Sequence, residues 1–121
     1  MQEHSNFGAF LSEKRRAREI TSLQMSEYAG ISPGYYCDIE KSRKAPPDRE
    51  ILDKIITALN LSDEDKDIFY DLAGRARAGG VSPDLPDYIM ANEEVRYALR
   101  IAKEKASPDD WRQFINRLEK K

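Results

Sequence analysis

The 121-residue chain has one cysteine and one histidine. A single cysteine, Cys37, excludes an internal disulfide and fits a reducing compartment. The histidine, His4, has no second histidine with which to build a metal site, so we expect it to lie in a frayed N-terminus rather than to bind a metal. Neither a metal nor another cofactor is therefore expected, and no small-molecule ligand is evident.

Long hydrophobic runs and catalytic motifs are also missing. No apolar run approaches the roughly 18 residues needed to span a bilayer, and no charged-then-apolar leader opens the chain, so we expect a cytoplasmic protein without a membrane partner. The sequence has no Ser-His-Asp set, no glycine-rich phosphate loop and no metal cluster. The acidic residues 63–65 are typical of a helix N-terminus rather than of acid–base catalysis. An enzyme is not expected.

Residues 21–40 predict two short helices broken by one glycine. Thr21 is a good N-cap for the first helix, and Gly30 ends it because a residue without a Cβ adopts the left-handed conformation of a sharp turn. Ser32 caps the second helix and Pro33 takes its first position, where a backbone amide would have no partner. A turn this short makes the helices cross steeply and leaves the second one projecting. The predicted shared core consists of Met25, Ala29, Ile31, Tyr36 and Ile39.

Apolar residues at helical spacing extend this pattern to five helices in the first 78 residues. The predicted ranges are 6–18, 22–29, 33–41, 49–59 and 63–78. Asp48 is expected to cap the fourth helix and Ser62 the fifth. The inner faces of the first, fourth and fifth helices are predicted to carry Phe7, Phe10 and Leu11; Ile51, Leu52, Ile55, Ile56 and Leu59; and Ile68, Phe69, Leu72 and Ala76.

The stretch from about residue 7 to about residue 60 resembles the phage-repressor and Cro-like, or Xre-like, helix-turn-helix family. The resemblance rests on the Gly30 turn, on Phe10-Leu11 and Lys14-Arg15 before it, and on Ile39-Glu40 followed by a small residue, basic residues and proline. It implies an all-α fold, a five-helix lambda-repressor-like DNA-binding domain followed by two C-terminal helices. It also implies a sequence-specific transcriptional regulator, in the simplest case a repressor, that binds a two-fold operator in double-stranded DNA as a homodimer.

In this family the N-terminal part of the second motif helix enters the major groove. The resemblance places four residues at the base-facing positions: Pro33, Gly34, Cys37 and Asp38. Pro33 and Gly34 have no side-chain donors, so they allow only close backbone approach or contact with a thymine methyl. Few bases would therefore be read directly.

The other two base-facing residues each have an alternative interpretation. Asp38 either accepts a hydrogen bond from a cytosine amino group or pairs with Lys41 or Arg43. Cys37 is interpreted as a small residue facing the groove, because carboxylates beside a thiol raise its pKa and so disfavour a redox sensor.

Phosphate contacts are expected beside these positions. The resemblance assigns the remaining DNA contacts to Ser22, Ser32, Tyr35, Lys41, Arg43 and Lys44. Such contacts position a protein on DNA and carry little sequence information. Alternatively, Tyr35 packs sideways on the domain and the bases of residues 41–44 form a solvated charge run.

The chain also lacks a strong charge of either sign, its formal net charge being −2. Where the charge lies matters more than its sum for DNA binding. Seven bases are clustered near the motif in the sequence: Lys14, Arg15, Arg16, Arg18, Lys41, Arg43 and Lys44. In the family the arginine at position 15 commonly pairs with the glutamate at position 40, so we expect this pair to set the pitch of the second motif helix and still to offer an edge to a phosphate.

The second half of the chain predicts a linker, residues 79–91, between a DNA-binding domain over residues 1–78 and a helical extension over residues 92–121. The two expected helices of the extension cover 92–106 and the segment after Ser107. Its candidate dimerisation residues are Val95, Leu99, Trp111, Phe114, Ile115 and Leu118. Alternatively, these helices pack back on their own domain. An alternative function is a protein-interaction module of antitoxin-like or anti-repressor-like type. It is favoured by the acidic second half of the chain and by the few side-chain donors at the start of the second motif helix.

Overall fold

The computed structural model describes residues 6–77 and 80–121, and over these ranges the chain forms eight α-helices and no strand. They are α1 (Phe7–Ala17), α2 (Ser22–Ala29), α3 (Pro33–Glu40), α4 (Arg49–Leu59), α5 (Asp63–Arg75), α6 (Pro86–Ala91), α7 (Glu93–Lys105) and α8 (Pro108–Glu119). The predicted all-α fold is confirmed. Among the described helices none has the length and apolar character to cross a membrane. His4 lies outside the described residues.

The chain divides into two compact units, Met1–Leu85 and Pro86–Lys121. The division falls within residues 79–91, the predicted linker. In the first unit α1 packs on α3 and α5, while α2 packs on α3 and α4. In the second unit α6 packs on α7, and no residue of α6, α7 or α8 is buried.

The core of the first unit joins all five of its helices. Phe69 of α5 is fully buried between the aromatic rings of α1, with its ring centroid 4.9 Å from that of Phe7 and 6.3 Å from that of Phe10. Side chains from α2, α3 and α4 close the core from the other side: Met25, Ala29, Tyr36, Ile39, Leu52, Ile55, Ile56 and Leu59. Ile31 packs against this cluster from the turn, so the predicted motif core is confirmed.

Both motif helices begin at a side-chain cap, and α2 ends at a left-handed glycine, as predicted. Thr21 forms a capping box with Gln24, since its Oγ1 accepts a hydrogen bond from the Gln24 amide at 3.0 Å and its own amide donates to Gln24 Oε1 at 2.9 Å. Gly30 ends α2 in the left-handed conformation, with φ 73°. Ser32 Oγ accepts from the Tyr35 amide at 3.2 Å and starts α3. Local chemistry alone therefore accounts for the turn.

The later part of the chain differs from the prediction in two places. Helix α5 ends at Arg75, so the predicted inner residue Ala76 is exposed, and the predicted end at residue 78 lies outside the described residues. The reason is tertiary: the Arg77 guanidinium donates hydrogen bonds to the carbonyls of Pro46 and Pro47, which draws the chain away from the helix axis. Residues 92–121 form the two predicted helices, α7 and α8, but the predicted linker before them is partly helical, because Pro86 and Asp87 begin the additional helix α6.

Gly8 lets α1 approach α3 more closely than any other residue would allow. A Cβ at this position would lie 2.3 Å from the backbone oxygen of Glu40 and 2.9 Å from that of Ile39. Both atoms belong to the backbone of α3 and cannot swing away as a flexible side chain could. The spacing of the two helices therefore depends on this glycine.

We predict that Gly8→Ala lowers the free energy of unfolding by about 2–3 kcal/mol, because the two helices must separate to admit the methyl group. Gly34→Ala is the matched control. Its new Cβ would meet no atom within 4 Å, and replacing a helical glycine stabilises by up to about 1 kcal/mol. Urea denaturation of both variants measures the difference, and equal stabilities would contradict the close approach.

Candidate nucleic-acid interface

A two-pronged ion pair connects the end of α3 to α1. Arg15 Nε donates to Glu40 Oε2 at 2.6 Å, and Arg15 Nη2 donates to Glu40 Oε1 at 3.1 Å. The remaining nitrogen, Nη1, donates to the backbone carbonyl of Ile20 at 2.9 Å, in the turn before α2. Only 12% of the Arg15 side chain and 11% of the Glu40 side chain are exposed. The pair thus ties the C-terminal end of α3 to α1, and each of the three guanidinium nitrogens donates one hydrogen bond within the protein.

The electrostatics of the pair agree with its geometry. Burial is the largest single influence on the pKa of the Glu40 carboxyl and raises it, but the Arg15 hydrogen bonds, the Arg15 charge and the nearby hydroxyls of Tyr36 and Ser12 together lower the pKa below its ordinary value of 4.5. The same hydrogen bonds raise the pKa of Arg15. The buried Tyr36 hydroxyl beside the pair has no hydrogen-bond partner of acceptable geometry. Burial, and next the Glu40 carboxylate, raise the pKa of Tyr36 far above its usual range, so the hydroxyl stays protonated.

The N-terminal half of α3 is the part of the motif that faces solvent. Ser32, Pro33 and Gly34 are exposed, and open space surrounds the position where Gly34 lacks a Cβ. Tyr35 is half-buried and packs against the core, as its alternative interpretation had it. Cys37 is half-buried with a free thiol. This surface presents backbone and small side chains rather than hydrogen-bonding side chains.

The basic loop after α3 is tied to that helix through Asp38. The Asp38 carbonyl accepts hydrogen bonds from the amides of Arg43, at 2.8 Å, and Lys44, at 3.2 Å. Its carboxylate lies 3.7 Å from the Arg43 guanidinium, which agrees with the ion-pair alternative for Asp38. Ser42 adopts φ 62°, the left-handed conformation that closes this turn. Lys41, Arg43 and Lys44 are thereby held in solvent directly beyond the end of α3.

The bases of α1 do not join this loop into one basic cluster. Lys14 forms an ion pair with Asp65 of α5, its Nζ 3.0 Å from the carboxylate, and Arg18 donates to the Asn60 carbonyl at 3.1 Å. Arg15 is committed to Glu40, as described above. Apart from Arg18, the exposed bases of the expected cluster are therefore Arg16 on α1 and the three of residues 41–44. Ser22 is half-buried at the first position of α2.

Sequence reasoning missed two residues that shape this surface. Gly8 was not singled out, although a glycine inside a helix usually has a packing reason. Arg77 anchors the proline end of the basic loop, and no local signal in the sequence connects it with Pro46 and Pro47 about 30 residues earlier.

The candidate dimerisation residues lie in the second unit. Val95 is half-buried, whereas the other five are exposed: Leu99, Trp111, Phe114, Ile115 and Leu118. The rings of Trp111 and Phe114 meet edge to face with centroids 6.3 Å apart. Together with Ala98, Ile101 and Ala102 of α7 they line an apolar groove of about 470 Å³.

The Arg15–Glu40 pair makes stability depend on pH. We predict that Glu40→Gln lowers the free energy of unfolding at neutral pH by about 2–3 kcal/mol, because Arg15 stays buried without its counter-charge. Since the pKa of Glu40 is depressed in the folded state, its contribution is complete above pH 4.5 and is lost as the pH falls through the folded-state pKa. The wild type therefore loses more stability on acidification than Glu40→Gln. Urea denaturation down to about pH 3 measures this difference.

Glu27→Gln, at an exposed carboxylate of α2, is the control for that series. It should leave both the stability at neutral pH and the acid dependence close to those of the wild type. Identical behaviour of the two glutamine variants would show that the pair does not stabilise the fold.

Comparison with known proteins agrees with this geometry. Residues 11–66 match the family model described as helix-turn-helix, and the match spans α2, the Gly30 turn, α3 and the basic loop. No curated protein and no solved structure matches the chain significantly. The matched family is one of DNA-binding regulatory domains and not of enzymes. Residues 11–66 of this protein therefore contain a helix-turn-helix of the Cro-like, Xre-like type, a family of DNA-binding domains.

Proposed function

We propose that this protein is a transcriptional repressor that binds a two-fold operator as a homodimer. The observation that carries the proposal is that α3 is fixed to the domain at one end and exposed at the other. Its C-terminal end is fixed by Glu40, while its N-terminal residues Ser32, Pro33 and Gly34 project into solvent. A helix held at one end and open at the other fits the major groove, where N-terminal residues of such a helix contact base edges. Occupancy of the operator would by itself block a promoter, so occlusion is the simplest mechanism of repression.

Base recognition in this proposal is sparse. Pro33 and Gly34 let the α3 backbone approach the groove floor, and Cys37 adds a small polarisable contact. Asp38 contributes little to the recognition of DNA bases, since its carboxylate lies beside Arg43 of the basic loop. Lys41 and Lys44 contact phosphates and set the register of the helix on the duplex. Much of the specificity would then come from DNA shape and from the spacing of two half-sites.

The homodimer is supported by the exposed apolar faces of α7 and α8. A side chain such as Phe114, 46% exposed, or Ile115, 50% exposed, would lose contact with water in an interface. Contiguous apolar patches of this kind mark interaction sites on soluble proteins. A single domain that reads few bases gains affinity and specificity when a second copy binds the adjacent half-site.

We predict that Lys44→Gln weakens binding to all DNA sequences alike and reduces the slope of log affinity against log salt by about 0.9, the value for one lost phosphate contact. Lys66→Gln, which removes a lysine from the first turns of α5, is the matched control and should leave the slope unchanged. Fluorescence anisotropy over a series of salt concentrations measures both.

The same titration tests the proposal as a whole. A repressor of this kind binds a DNA fragment selected from a random-sequence pool and loses affinity steeply with salt. Absence of binding even at low salt would overturn the proposal and would favour the protein-interaction module.

A further inference from the structure

Helix α8 carries an apolar stripe that stays largely exposed, although Trp111 and Phe114 border the groove shared with α7. Trp111, Phe114, Ile115 and Leu118 are spaced by three and four residues, so they share one face, and each remains between 39% and 50% exposed. None of the twelve residues of α8 is buried. Such a face on a short helix calls for a partner surface, because helices of this length gain most of their stability from packing.

Charged residues border the stripe on both sides, and the order of acid and base along the chain is opposite on the two sides. A helix turns by about 100° per residue, which places Asp110 and Arg117 along one side of the stripe and Arg112 and Glu119 along the other. The first flank thus runs from acid to base along the chain, and the second runs from base to acid. A face built in this way is complementary to a copy of itself turned end to end.

We propose that α8 is the self-association helix of this protein and pairs antiparallel with α8 of a second copy. This inference rests on the homodimer proposed above and specifies its contact. A two-fold axis between Phe114 and Ile115 sets Trp111 opposite Leu118 of the second copy. An antiparallel two-fold pair of helices brings like flanks together.

The alignment of the two helices that pairs the apolar residues also brings opposite charges together. Asp110 falls beside Arg117 of the second copy, and Arg112 falls beside Glu119 of the second copy. Each contact occurs twice by symmetry, so the two-fold pair contains four complementary charge contacts around an apolar centre. Such charges at the margin of an interface set partner choice and orientation more than raw affinity.

A parallel arrangement of the same helices is unfavourable. It would place the acidic first turns, with Asp109 and Asp110 in each copy, side by side, and it would bring the basic ends, with Lys120 and Lys121, together. The helix dipoles would also lie parallel, with like ends adjacent. The charge pattern therefore selects the antiparallel orientation and a single register.

The area of the contact predicts a weak dimer. A helix of 12 residues is about 18 Å long, and two such helices bury less than the roughly 1,000 Å² of a stable interface. The adjoining apolar surface of α7, where Ala98, Ile101 and Ala102 line a groove with Trp111 and Phe114, borders this face. The α8 pair therefore sets the geometry, and α7 adds area at its edge.

Reciprocal charge reversal on the full chain tests the register. Arg112→Glu places two acids together at each of two symmetric contacts, and Glu119→Arg places two bases together there. Neither residue belongs to the capping box that starts α8, which consists of Ser107 and Asp110. Each single variant should raise the dimer dissociation constant about tenfold. In a mixture the two variants should form a heterodimer about as stable as the wild-type dimer, because both reversed charges then face opposite charges and the two symmetric contacts are again complementary.

Sedimentation velocity over a concentration series measures the dissociation constants, and native mass spectrometry identifies the heterodimer in the mixture. Circular dichroism checks that each variant keeps its helix content. Glu104→Arg, a reversal at an exposed position of α7 that does not line the groove beside Trp111 and Phe114, is the matched control and should leave dimerisation unchanged. The double variant Arg112→Glu/Glu119→Arg should dimerise like the wild type.

Three results would overturn the pairing: a wild-type chain that stays monomeric throughout, single variants that dimerise as tightly as the wild type, or a mixture that forms no heterodimer. The repressor proposal fails separately. A chain that dimerises in this register but binds no DNA would contradict the repressor proposal and support the α8 pair. A chain that binds DNA as a dimer, and whose dimerisation is unchanged by either single reversal, would support the repressor proposal and contradict the α8 pair.

Discussion

Glu40 is the residue on which the presentation of α3 depends. Its carboxylate is held by two hydrogen bonds from Arg15, and its backbone carbonyl lies against Gly8, so α1 fixes it at two points. The third nitrogen of the same guanidinium binds the Ile20 carbonyl, which ties the start of the motif to its end. A charged pair with so little exposure depends on such hydrogen bonds, because a buried charge without partners is strongly destabilising.

This mounting also explains why so little of the chain is left for reading DNA. The α1 bases that looked available in the sequence are used to hold helices together, with Lys14 on α5 and Arg15 on α3. Apart from Arg16 on α1, the exposed bases near α3 lie in the loop after it, where the Asp38 carbonyl and the Arg77 guanidinium hold its two ends. The surface therefore has one preformed basic loop beside a backbone-rich helix end, which suits positioning on phosphates better than side-chain readout of bases.

The sequence predicted best what is decided within a few residues. The Thr21 and Ser32 caps, the Gly30 turn and the apolar faces of the first four helices depend on neighbours along the chain, and their positions were predicted within one residue. The Arg15–Glu40 contact is long-range and was expected only because the stretch resembles a known family. The earlier end of α5 depends on Arg77 and residues far from it in sequence, so no local pattern could predict it. Helix α6 was missed because its proline-rich surroundings are also typical of a linker.

Site-directed DNA cleavage would test most directly whether α3 lies in the major groove of a two-fold site. An iron chelate attached to Gly34→Cys, in a chain whose single native thiol is removed by Cys37→Ser, places the cleaving group at the exposed end of α3. On a DNA fragment selected by binding, the proposed function predicts cleavage at two symmetric major-groove positions about one helical turn, roughly 10 base pairs, apart. Cleavage at a single position, or none on DNA that the chain still binds, would contradict it.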